Sequence, residues 1–143
     1  MDREMFVNLA VEDLARTAAF FDALGFAFDP RFTDDDAAAM VVGEGRYVMF
    51  LRRPFFETFT DVRLADASRT TEVLVTLSAE SRDEVDDLVT KATALGAVEA
   101  HQPEDRDFMY SRSFHDLDGH VWEFVWMRPD AEPLAEPGDD TEA

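Results

Sequence analysis

The sequence carries the same pattern twice, and that duplication constrains the fold more than any other feature. Residues 5–11 (Met-Phe-Val-Asn-Leu-Ala-Val) alternate as a strand does, and the helical stretch after them ends at Leu24-Gly25. Residues 72–78 alternate again, and a second helical stretch ends at Leu95-Gly96. Asp13 stands at the N-cap of the first helix, whose apolar positions Leu14, Ala18, Phe21 and Leu24 fall near helical spacing. Ser81, with Glu84 three residues on, makes a capping box for the second; Val85, Leu88, Val89, Ala92 and Leu95 form its buried stripe. Each helix then gives way at a glycine.

The two helices also lead into matching elements. Residues 26–28 form a short strand, and residues 38–42 and 46–51 make a hairpin around Gly43-Glu44-Gly45. Residues 98–100 form the second short strand, and residues 109–115 and 121–127 make a hairpin around the turn pair Asp118-Gly119. Two βαβββ repeats result, over 5–60 and 71–127. The expected fold is α+β: one domain over 1–128 in which the repeats form a curled mixed sheet, helices outside and the inner face open to a ligand. Residues 54–60, with Phe55, Phe56 and Phe59, read as a short flap, and 62–70 as the connection between halves. Residues 129–143 are acidic, Pro-bearing and poor in large apolar groups, which reads as a disordered tail.

Alternation assigns faces. In the last strand His120, Trp122, Phe124 and Trp126 share one side, and Val121, Glu123, Val125 and Met127 the other. Glu123 is thus a carboxylate in an apolar row, the first residue to examine for chemistry. In the first strand Phe6, Asn8 and Ala10 share a face. His120 and His115 are expected opposite Glu123. No Ser or Cys stands in an identifiable nucleophile motif, so triad chemistry has no support.

Charge and cysteine content exclude several functions. Thirteen basic against 32 acidic residues give a net charge of −19, which disfavours nucleic acid and anionic membrane as partners. The absence of cysteine removes disulfides, thiolate metal sites and Cys nucleophiles. No apolar run is long enough to span a bilayer, and a cytoplasmic setting is expected.

Two stretches, Val11-Glu12-Asp13-Leu14 running into Ala19 to Phe26, and Asp116-Leu117-Asp118-Gly119-His120-Val121-Trp122-Glu123, resemble the vicinal oxygen chelate superfamily. That superfamily includes glyoxalase I, extradiol dioxygenases, and fosfomycin- and bleomycin-resistance proteins. The resemblance covers residues 5 to about 127; the second stretch is similar to the D-P-D-G-x-x-x-E hairpin, with Leu117 where Pro is usual. It implies a homodimer with an apolar cup for a small molecule. It also implies that metal enzymes of the group draw ligands from inner-face positions on the first and last strands of each repeat.

Superposing the turn glycines Gly45 and Gly119 sets Met49 against Glu123, and superposing the first strands sets Phe6 against Glu72. On the resemblance these four are the metal positions. Glu123 matches the carboxylate ligand, and Glu72 stands where His is common. Phe6 cannot ligate, and Met49 offers only a soft thioether. No cofactor is therefore expected, beyond a divalent metal held weakly through waters by Glu72 and Glu123. As the catalytic candidates, these two carboxylates would repel across the cup floor unless they share a proton or meet a cation. If Phe114 pairs with Glu123, Arg112 shares that face and supplies the cation. Asn8 offers a donor and an acceptor, Phe56 belongs to the flap, and Tyr110 stands at the rim. The leading expectation is a metal-free small-molecule binder with Phe6, Asn8, Met49, Phe56, Tyr110 and Arg112 as ligand contacts. The alternatives are a divalent-metal lyase, isomerase or dioxygenase relative using Glu72 and Glu123, and a non-catalytic structural or regulatory module.

Overall fold

A computed structural model describes residues 1–130; the expected tail lies, from residue 131 onward, outside the described residues. The elements run β1 (Met5–Val11), α1 (Leu14–Ala23), β2 (Ala27–Phe28), β3 (Ala37–Gly43), β4 (Arg46–Arg52), α2 (Arg53–Phe56), β5 (Leu74–Ala79), α3 (Arg82–Ala94), β6 (Val98–Glu99), β7 (Glu104–Arg106), β8 (Met109–His115) and β9 (Val121–Met127). Short 3-10 turns occupy Pro30–Phe32 and Glu57–Phe59.

The helix boundaries obey the capping chemistry. The Asp13 side chain accepts from the Arg16 amide at 3.1 Å, and Ser81 Oγ accepts from the Glu84 amide at 3.0 Å. Glu84 completes the box by accepting from the Glu80 amide, one residue before the cap. Gly25 and Gly96 come next at φ +102° and +110°, a conformation that costs a side-chain-bearing residue far more.

Two sheets result, ordered β1-β4-β3-β2 and β5-β9-β8-β6, with β7 adding to β8. In each, the first strand lies parallel to the last, and the other neighbours are antiparallel. The duplication read from the sequence is therefore a duplication of topology. β7 was not expected: Glu104-Asp105-Arg106 is charged and exposed throughout, so it carries no alternation to read.

One apolar core joins the repeats. Phe21, fully buried on α1, stacks on Phe50 of its own sheet (centroids 5.0 Å, 22°) and meets Trp122 of the other at 4.7 Å. Phe20 reaches Phe114 at 6.0 Å. Val85, Val89 and Ala92 seal the same cluster from α3. Aromatic groups of this size dominate core energetics, and here they lock the face of each sheet opposite the inner one. Among the described residues no helix is long and apolar enough to cross a membrane.

Candidate functional site

The strand ladders fix which residues share the inner face. Thr76 and Ser113 lie directly beside Glu123, one on each neighbouring strand. Thr76 Oγ1 donates to Glu123 Oε1 at 3.0 Å, which orients the carboxylate. In the first sheet the corresponding rung is Asn8 beside Met49. The equivalent positions of the two repeats are therefore Asn8, Met49, Thr76 and Glu123. Asn8 and Thr76 thus correspond, so Phe6, two residues before Asn8, corresponds to Leu74, two residues before Thr76, and not to Glu72.

Glu72 keeps its parity but not its level. The first rung of the β5–β9 ladder is Leu74 with Val121, so Glu72 precedes the paired strand by two residues. It sits four residues from Thr76, ~13 Å along an extended chain. The two carboxylates expected to meet across the floor are not neighbours on the ladder. Phe6 is occupied otherwise, stacked on Tyr47 (4.9 Å, 9°) and touched edge-on by Phe32 at 5.6 Å.

Tyr110 and Arg112 require a second correction. Phe114 pairs with Trp122, not with Glu123, and Arg112 pairs with Phe124. Shifting a strand by one residue exchanges its faces, so Tyr110 and Arg112 point toward α3 and His115 joins the Glu123 face. Arg112 is clamped there by Glu99 through two bonds of 2.9 Å and by Asp86 at 2.8 Å. Tyr110 donates to the same Asp86 at 2.6 Å. The Tyr110 and Arg112 hydrogen bonds hold the Asp86 carboxyl below its ordinary range, and Arg112 does the same for Glu99. Burial, then the bond to Asp86, pushes the Tyr110 phenol up. These side chains brace α3 against the sheet and do not contact the inner face.

The best-formed apolar hollow lies between the repeats. A cavity of about 260 Å³ opens between the middle of β1, the start of β9 and the connection 60–73. Asn8, Phe56 and Glu72 of the expected set line it, with Leu9, Ala10, Leu64, His120 and Val121. Most of its surface is apolar; the polar residues on it are Asn8, Glu72, His120, Arg63 and the threonines Thr60, Thr70 and Thr71. Phe6, Met49, Tyr110, Arg112 and Glu123 do not line it.

A polar hinge beside the cavity fixes its shape. Asp116, nearly buried, accepts from the Asp118 and His120 amides at 2.9 Å through Oδ1 and from Trp122 Nε1 at 2.9 Å through Oδ2. Burial raises its carboxyl above the ordinary value, opposed by the nearby His120. Asp118 then accepts from the Glu12 amide at 2.9 Å, one residue before the cap of α1. His120 Nε2 lies 2.7 Å from the Ala10 carbonyl, which can only accept, so that nitrogen carries a proton. These residues bind β1 to β9 across the repeat junction. The spacing Asp116-x-Asp118-x-His120 was visible in the sequence, but nothing local marked it as a bridge to β1.

Comparison with known proteins places this geometry. A profile of the bleomycin resistance protein-like N-terminal region matches residues 3–43. A hypothetical protein from S. aureus shares 30% identity, with 88% of this chain and 95% of that one aligned at a TM-score of 0.74. The chain belongs to the vicinal oxygen chelate superfamily. A glyoxalase/bleomycin resistance protein/dioxygenase family enzyme from Burkholderia phytofirmans shares the fold at 17% identity (88% and 99% covered, TM-score 0.72). So does the fosfomycin resistance protein FosX from Listeria monocytogenes (17%; 91% and 97% covered; TM-score 0.64). Among curated proteins, no sequence matches.

Vicinal oxygen chelate enzymes imply a divalent metal, and the donor set here does not fit one. Of Phe6, Met49, Leu74 and Glu123, and of the rung neighbours Asn8 and Thr76, only Glu123 is a strong hard-cation ligand. Among the described residues no three His, Asp or Glu side chains form a group suited to an ion.

Proposed function

We propose that this chain is a small-molecule-binding protein of the glyoxalase/bleomycin-resistance type that holds its ligand without a metal. The observation that carries the reading is the 260 Å³ cavity at the repeat junction, apolar in its body and supplied with Asn8, Glu72 and His120. An apolar hollow with a few convergent polar groups is the usual build of a ligand site. The lining suits a compact apolar molecule bearing one hydrogen-bond-donating or cationic group: the body fills the hollow, and the donor is met by the Asn8 carbonyl oxygen or the Glu72 carboxylate. The role would be sequestration.

The functional unit is a homodimer on this reading. Phe6 (40% exposed), Leu74 (51%) and Met127 (41%) all lie on inner faces. Exposed apolar side chains of this size, on both sheets, are what a second copy would cover. Sedimentation equilibrium tests this directly, and a monomer at all concentrations would contradict it.

One resemblance favours a metal-enzyme reading: Glu123 closes the Asp116-to-Glu123 stretch that is similar to the superfamily's carboxylate-bearing hairpin. Metal analysis of protein purified without chelators separates the two. Absence of stoichiometric metal, together with a melting temperature raised by small apolar amines, supports the binder. One tightly held ion per chain, lost in Glu123→Gln, replaces it with the enzyme.

A further inference from the structure

We infer that residues 60–73 act as a strap that lifts to admit a ligand to the junction cavity and closes on it, an inference that rests on the cavity being the ligand site. The strap supplies more than half of the cavity wall. Its polar bonds, however, are turned inward on itself. Asp66 Oδ1 accepts from the Ser68 amide (3.0 Å) and hydroxyl (2.6 Å), and the Asp66 carbonyl accepts from the Arg69 and Thr70 amides at 2.9 Å. Among the described residues its one hydrogen bond to the rest of the chain is long, Arg53 Nη1 to the Ala65 carbonyl at 3.5 Å. Between Asp61 and Glu72 only Leu64 and Ala67 are even half-buried; Val62 is 75% exposed. A segment so weakly tied belongs to the low-stability end of a fold and opens without unfolding its neighbours.

The strap nevertheless has a seat. Gly119, at φ +98°, receives it so closely that a Cβ there would lie 2.6 Å from the Ala67 carbonyl oxygen and 2.9 Å from Ser68 Cα. The turn before β9 therefore does two things with one residue. It takes a left-handed conformation open to glycine, and it leaves room for the strap to close. A molecule filling the cavity adds contact to Leu64 from below, so occupancy and closure favour each other.

The chain has no cysteine, so Ala67→Cys introduces a unique thiol at the seat. The probe is N-phenyl-1-naphthylamine, a neutral apolar amine that fluoresces on leaving water. If it binds only beneath a closed strap, then at about 100 times its Kd it slows opening by up to about 100-fold. The expected result is that iodoacetamide labelling of A67C slows by about tenfold or more, with labelling in the exposed control Glu44→Cys unchanged. Amide exchange over 61–72 in the unaltered chain slows in parallel. Gly119→Ala unseats the strap and weakens the probe roughly tenfold; Leu64→Ala does the same without touching the strained glycine. Probe binding with exchange over 61–72 unchanged overturns the strap and leaves the site standing. No fluorescence response at any concentration overturns both.

Discussion

Replacing Arg112 by Met tests the face assignment on which the site rests. The guanidinium makes three charge-assisted bonds, two to Glu99 and one to Asp86, and its side chain is only 18% exposed. Its partners are 49% and 34% exposed, so solvent screening lowers each bond to roughly 1 kcal/mol, and the loss totals about 2–3 kcal/mol. For a domain of this size that is a fall of roughly 6–12 °C in melting temperature. Methionine keeps most of the apolar stem, so packing loss adds little. The acid limb changes as well. Asp86 and Glu99 have carboxyls lowered by folding, so they contribute stability above their ordinary range near pH 4 and lose it as pH falls toward the lowered values. R112M should therefore be less stable at pH 7 and show a shallower decline below pH 4, with the affinity of the naphthylamine probe unchanged. Thermal melts at pH 7 and pH 3 with a fluorescence titration decide it. An unaltered melting temperature with affinity reduced tenfold or more (about 1.4 kcal/mol) would refute the argument, because it would put Arg112 on the ligand face.

Three further outcomes rest on named contacts. Phe21→Ala removes the ring between Phe50 and Trp122 and should cost about 3–5 kcal/mol in a urea titration, with both sheets unfolding together because one core cluster spans them. Asp116→Asn turns one carboxamide N–H₂ toward N–H donors and should cost about 2–3 kcal/mol at pH 7. Because burial raises the Asp116 carboxyl, wild-type folding takes up a proton there and gains stability as pH falls through the raised value. The variant lacks that gain and should weaken more steeply on acidification, visible as urea midpoints at pH 7 and pH 4.5. Finally, Thr76→His sets an imidazole beside Glu123 and should raise nickel affinity about tenfold or more by calorimetry, whereas Glu72→His should not. Equal gains would overturn the register.

The misplacement of Tyr110, Arg112 and His115 traces to one residue in one turn. Taking Asp118-Gly119 as a two-residue hairpin pairs Phe114 with Glu123 and brings Arg112 to the inner face. The observed connection between β8 and β9 is five residues, 116–120, because Asp116 gathers the amides of Asp118 and His120 into a wider turn. That extra residue transfers Tyr110, Arg112 and His115 to the opposite faces. The faces of β1 and β9 were legible, since each strand's own alternation sets them and no partner is needed. The caps at Asp13 and Ser81 were legible for the same reason: a cap is a contact over three residues.

Level along a sheet is a different kind of information. Glu72 alternates in phase with Thr76, but only the position of the Gly119 turn determines where β5 begins to pair, and that position lies 47 residues away from Glu72 in the chain. The same separation hid the strap. Residues 62–70 are small and polar and read as a plain connection, and their wall-forming role exists only because Gly119 leaves a place for Ala67. The duplicated fold is written in short-range patterns and was readable. The cavity is made where the first repeat, the connection and the second repeat touch, so its composition depends on contacts that no local pattern encodes.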